Sequence, residues 1–196
     1  LNSLKTGITS IGYWQPVGVV VTTADTVYHI DEGLKQFEPV LALPNDNIIQ
    51  VQTYNNNLYA LDTKNGQIIK ITDIKGKFTT TVIARGDYSQ IRDFAIDKDI
   101  YLLSADSVTK ITNGNALAFP LPPMTDKISN GTRIFVAGNI YILEANKKRV
   151  VILNKTGALL NQISFPTATT PEELSVDEAQ RSLYLLDDNQ LLRITY

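Results

Sequence analysis

The chain has 196 residues, 43% of them hydrophobic and 19% charged, which supplies one domain with a substantial core. Its 18 Lys and Arg are matched by 20 Asp and Glu, so no excess charge draws it to nucleic acid or to an anionic membrane surface. The absence of cysteine and the presence of one histidine exclude disulfides, thiolate metal sites, cysteine nucleophiles and zinc sites that need two histidines.

In chain order, Leu1 to Ile8 precede an inner strand near Thr9 to Tyr13. Strands follow at Val19 to Val21, Thr26 to Ile30 and Glu38 to Leu43. A second set reads Ile48 to Tyr54, Leu58 to Leu61, Ile68 to Ile71 and Phe78 to Ile83. Its middle strands are joined through Asn65-Gly66, a pair that supplies the positive φ angles of a tight hairpin. The third set is Ile91 to Ile96, Ile100 to Leu103, Val108 to Ile111 and Ala116 to Phe119; the fourth is Thr132 to Val136, Ile140 to Leu143, Val150 to Leu153 and Leu159 to Phe165. The last has three strands, Leu174 to Val176, Leu183 to Leu186 and Leu191 to Thr195. Glu172-Glu173-Leu174 could open a short helical turn after Pro171, but no apolar i, i+4, i+7 pattern continues it. No apolar run nears the roughly 20 residues of a membrane-spanning helix. The chain starts at Leu1 and its one methionine is Met124, which reads as a cleaved product or an excised domain.

Tyr59, Tyr101, Tyr141 and Tyr184 each sit in the phrase Leu/Ile-Tyr-x-Leu, 42, 40 and 43 residues apart. A period of about 40 to 45 residues filled with short strands marks a β-propeller of four-stranded blades. The expected fold is therefore all-β: a single five-bladed propeller over 1–196. Its antiparallel blades fall near 9–43, 48–84, 91–119, 132–165 and 174–196, with 1–8 closing the last blade so that no sheet edge stays open.

Gly138 to Gly157 resembles an NHL repeat, and Pro171-Glu172-Glu173-Leu174-Ser175-Val176-Asp177 through Leu183-Tyr184-Leu185-Leu186-Asp187 resembles a second copy. The first blade matches by period only. The resemblance implies a propeller that binds proteins, RNA or small ligands, in some bacterial receptors as an extracytoplasmic sensor part. It fixes no activity, because one fold hosts many functions. The related lactonases and arylesterases of the paraoxonase type hold Ca²⁺ at the central channel, but they have six blades.

The repeated tyrosines are read as core packing between blades rather than as a ligand platform. Asp62, Glu144 and Asp187, at the ends of Tyr-bearing strands, are read as acceptors for turn N–H groups, with Ser104 and Thr22 at the equivalent places. His29 has no Gly-x-Ser-x-Gly elbow to serve. Lys70, Lys110, Arg193 and His29 are read as solvent-facing residues of third strands, and Lys147-Lys148-Arg149 as a solvated turn. Trp14 is read as an exposed anchor or a partly buried loop residue.

Loops entering inner strands, and those joining second to third strands, share one face of a propeller. The binding residues expected there are Arg85, Asp87, Tyr88 and Gln90, with Asp46, Asn47, Asp126 and Lys127. This reading gives a non-enzymatic binding or sensor module, outside the cytoplasm of a bacterium, with a protein or small-molecule partner and neither cofactor nor metal. The alternative is a metal-dependent hydrolase of the lactonase type, with ligands from Asn47, Asp87, Asp126 and Glu173.

Overall fold

The computed structural model describes residues 7–31, 33, 36–44, 48–165, 170–188 and 190–196. The chain divides into two compact units, Leu1–Ser89 and Gln90–Tyr196. The fold class is the one expected from the repeat, an all-β propeller with five antiparallel blade sheets.

The first unit holds two four-stranded meanders. One runs β1 (Ser10–Trp14), β2 (Gly18–Thr22), β3 (Thr26–Asp31) and β4 (Gln36–Ala42); the other runs β5 (Ile48–Tyr54), β6 (Asn57–Asp62), β7 (Gln67–Ile74) and β8 (Lys77–Arg85). Asn55 and Asn56 have φ of 44° and 60°, the two left-handed residues that a tight hairpin between twisted strands requires. Trp14, Val20, Val27, Ile48, Val51, Leu58, Ala60, Ile69 and Ile71 form the core of this unit.

Alternation along β1 turns Ser10, Gly12 and Trp14 toward the neighbouring inner strand β5. Ser10 Oγ accepts the Val51 N–H at 2.9 Å. A Cβ on Gly12 would stand 3.5 Å from Thr53 Cγ2, and Trp14 Nε1–H donates to the Asn56 carbonyl at 3.0 Å. The sequence period of about 41 residues thus becomes a physical register between adjacent inner strands.

The second unit holds three sheets. They are β9 (Asp93–Asp97) to β12 (Asn115–Phe119) through β10 (Asp99–Leu103) and β11 (Val108–Thr112); β13 (Arg133–Val136) to β16 (Leu159–Ser164) through β14 (Ile140–Glu144) and β15 (Arg149–Leu153); and β17 (Glu173–Asp177), β18 (Ser182–Asp187) and β19 (Gln190–Thr195). Every residue of β14 and β15 is buried, because a blade covered on both faces loses in/out alternation. Asp93 Oδ2 accepts the Ile134 N–H at 2.7 Å, the same link between inner strands that Ser10 makes in the first unit.

One expectation needs adjustment. Residues 172–174 form no helical turn; β17 begins at Glu173, and the helical element among the described residues is a 3-10 turn at Ala145–Lys147. The proposed closing strand at 1–8 lies mostly outside the described residues. Gly7, Ile8 and Thr9 carry no strand, and the last sheet shows three strands among the described residues.

Candidate functional site

In the first unit, Arg85 ends β8 and is exposed, as is Asp87. Asp87 Oδ1 accepts the Ser89 N–H at 3.1 Å; bonds from the Ser89 side chain and backbone hold its carboxyl below the usual range. Tyr88 is 4% exposed, and its hydroxyl is buried with no hydrogen-bond partner. Burial pushes that phenol upward in pKa. The ring folds over Gly86, where a Cβ would lie 2.9 Å from Tyr88 Cε1. Gly86 N–H donates to the Gly66 carbonyl at 3.0 Å, and a Cβ on Gly66 would collide with the Gly86 carbonyl oxygen. Asp46 and Asn47 lie outside the described residues. Gln90 is exposed at the start of the second unit.

In the second unit, Asp126 and Lys127 belong to a loop that buried charge fixes in place. Glu144, 0% exposed, accepts the Ser129 and Asn130 N–H groups at 2.9 and 3.2 Å through Oε1, and Arg149 Nε–H at 2.7 Å through Oε2. Arg149 also donates to Gln162 Oε1 and to the Asp126 and Lys127 carbonyls, and it pairs with the Asp126 carboxylate at 3.0 Å. Lys147 bonds Asp126 Oδ1 at 2.6 Å. The hydrogen bond from Lys147, with the charges of Arg149 and Lys147, holds the Asp126 carboxyl below its ordinary range. The solvated-turn reading of Lys147-Lys148-Arg149 is corrected: Lys148 at φ 51° folds the turn back, and Lys147 and Arg149 clamp the 126–130 loop.

Asp187 plays the lighter version of the Glu144 role, accepting the Thr170 N–H at 2.9 Å. Asp62 is buried and accepts Asn65 N–H at 3.0 Å. These carboxylates serve turns, as read from the sequence. Of the ligands suggested for a metal-dependent hydrolase, Glu173 Oε1 pairs with Arg133 at 2.8 Å, Asp126 pairs with Lys147 and Arg149, and Asn47 is outside the described residues. Among the described residues no group of three or more His, Asp or Glu stands together to hold a metal. Lys110 bonds Asp99 at 2.8 Å and lies over the Tyr101 ring, and Arg193 donates to Ser182 Oγ and Gln180 Oε1. The third-strand cations are therefore partly engaged rather than a free basic stripe.

The concave site that sequence reading missed lies at the other end of the first unit's strands. A cleft of about 190 Å³ opens where the turn after β1 meets the turn between β5 and β6, lined by Tyr13, Trp14, Gln15, Thr53, Tyr54, Asn55 and Asn56. It is separated from Gly66 and Gly86 by the length of β6, roughly 17 Å at the strand rise. Trp14 is 0% exposed and forms the floor, while Tyr13 is 65% exposed at the mouth. The left-handed turn is held from three sides: Asn57 Nδ2 donates to the Asn55 carbonyl at 2.6 Å, Thr72 Oγ1 to Asn57 Oδ1 at 2.7 Å, and Trp14 Nε1 to the Asn56 carbonyl. The Asn55-Asn56-Asn57 run was the available signal, since asparagine tolerates positive φ. Its partner Trp14 is 42 residues away.

No family model matches the sequence, and no curated protein matches it. Solved structures do. A streptogramin B lyase superposes with TM-score 0.69 at 19% identity, over 100% of this chain and 67% of that one. A virginiamycin B lyase from Staphylococcus aureus gives 0.68 at 18% identity, over 100% of this chain and 69% of that one. Regucalcin from Agrobacterium tumefaciens, described as a calcium-binding protein, gives 0.69 at 13% identity, over 96% and 72%. The propeller kinship read from the repeats is thus shown at the level of fold. The expectation of a chain without enzymatic activity is corrected by the same finding: lyases carry this fold along its full length, so the architecture supplies no ground for excluding catalysis. Among the described residues no helix is long and apolar enough to cross a membrane.

Proposed function

We propose that this chain recognises a small uncharged ligand in the cleft between the turn after β1 and the turn between β5 and β6. One observation carries the reading: residues with neutral polar side chains line one concavity. Gln15, Thr53, Asn55 and Asn56 border the cleft, and their side chains make no hydrogen bond to other described residues. Pockets that fix a ligand combine aromatic walls with a few convergent polar groups. Among the described residues no charged side chain lines the cleft.

Trp14 is the only tryptophan, so the emission comes from a single indole that borders the cleft. Neutral ring fragments such as dioxane, cyclohexanol and phenol are titrated while that emission is followed. The reading expects a saturable change with at least one of them, lost in Gln15→Ala. No saturable change with any neutral fragment or glycoside overturns it.

We include in the proposal a second contact, for a protein or small molecule, at the exposed Arg85 and Asp87 after β8 with Tyr88 buried beside them, and that the chain acts outside the cytoplasm. Loss of partner capture in Arg85→Ala, Tyr88→Ala is the expected outcome, and undiminished capture removes this second contact.

A further inference from the structure

We infer that the cleft beside Trp14 is a subsite for one neutral sugar ring at the end of a larger glycan. The inference rests on the small-ligand reading above and narrows it to a chemical class.

Size sets the first limit. An apolar cavity of about 150 Å³ takes up benzene, whereas drug-sized ligands need roughly 300 Å³ or more. A cleft of about 190 Å³ therefore suits a single six-membered ring. Its mouth is formed by exposed residues, Tyr13, Gln15, Asn55 and Asn56, so whatever is attached to that ring runs out into solvent.

Chemistry sets the second limit. A purely apolar ring would cover neutral polar groups of Gln15, Thr53, Asn55 and Asn56 and leave unpaired those it buries, and each such group costs about 1–3 kcal/mol when buried without a partner. A phosphate or a carboxylate sugar would find no cation among the described residues, since none of the Lys, Arg or His among them lines the cleft. A neutral pyranose meets both demands. Its hydroxyls act as donor and acceptor at once, as do the Asn and Gln amides and the Thr hydroxyl.

Preorganisation is the third consideration. A weak ligand with few contacts gains affinity when the site needs no ordering on binding. Here the backbone of Asn55 and Asn56 is fixed by the bonds from Asn57 and Trp14. Their side-chain amides remain available.

The test uses the whole chain and methyl glycosides of glucose, galactose, mannose and N-acetylglucosamine, with glucuronate as the charged control. Trp14 emission is expected to change saturably with at least one neutral glycoside, with Kd near a millimolar, as befits one ring, and not with glucuronate. Asn55→Gly, which keeps the left-handed backbone, and Gln15→Ala, both at exposed positions, are expected to weaken it at least tenfold with the unfolding midpoint nearly unchanged. A response to dioxane, cyclohexanol or phenol but to no glycoside overturns the sugar assignment and leaves the ligand cleft standing. Silence toward both classes overturns both. Glycoside binding that survives Gln15→Ala and Asn55→Gly places the sugar elsewhere and overturns the assignment.

Discussion

Replacing Glu144 by Ala removes the one carboxylate that is fully buried against Arg149. The guanidinium, 7% exposed, would keep Asp126 at a rim position that is 62% exposed, together with Gln162 and two carbonyls. Two backbone N–H groups, those of Ser129 and Asn130, would lose their acceptor. Breaking one partner of a buried pair costs about 3–5 kcal/mol, and the surviving partners of Arg149 favour the lower end. We expect a loss of about 3 kcal/mol, which at roughly 2–4 °C per kcal/mol for this length lowers Tm by about 6–12 °C. Glu144→Gln keeps an acceptor for the N–H groups and should fall between. The double change Glu144→Leu, Arg149→Met leaves no orphaned charge and should sit within about 1 kcal/mol of the parent. Urea unfolding measures all three, and proteolysis near Asp126 to Asn130 should accelerate in Glu144→Ala before global unfolding. An Ala variant within about 1 kcal/mol of the parent would refute the clamp.

Gly66→Ala should cost more than Gly76→Ala, although both residues have positive φ. Each pays about 1–2 kcal/mol for a left-handed Ala, but only the Cβ at 66 meets backbone, whereas nothing lies within 4 Å of one at 76; equal losses in urea unfolding would refute the close approach of Gly66 to Gly86. Burial pushes the Glu178 carboxyl up, and the Tyr141 hydroxyl with the Asn139 and Gly138 N–H groups pushes it further down, to a net value below 4.5. A depressed carboxyl stabilises the fold above its unfolded value and loses that contribution as pH falls through its folded value. The advantage of the parent over Glu178→Gln should therefore shrink between about pH 5 and pH 3, and a constant difference across that window would count against it. Tyr88→Phe removes a buried hydroxyl with no partner and should raise stability by about 1 kcal/mol; a decrease would show that the hydroxyl is satisfied in the free protein.

The blades could be read from sequence because one spacing repeats. Tyr59, Tyr101 and Tyr141 recur every 40 to 42 residues and are 8%, 1% and 1% exposed, so periodicity and apolar neighbours sufficed to place them in the core. Single-residue reading failed where burial depends on a distant loop. Arg149 reads as the end of a basic turn, and only the return of residues 126–130 onto Glu144 makes it a buried ion. Trp14 reads as a lone aromatic beside Pro16. Its burial follows from the blade period, which sets it opposite Asn56, but the cleft also needs the left-handed pair at Asn55 and Asn56. Lactonase-type ligands looked plausible as scattered carboxylates because sequence shows residue type without showing that Glu173 is paired with Arg133.

The most direct test of ligand recognition is a two-dimensional amide spectrum recorded during a titration with the methyl glycosides. The single indole N–H of Trp14 and the side-chain amides of Gln15, Asn55 and Asn56 give separate signals. The account predicts that these, together with the backbone signals of residues 13–15 and 53–56, move progressively while those of Glu144 and Arg149 stay fixed. Unmoved cleft signals, or shifts confined to other residues, would contradict it.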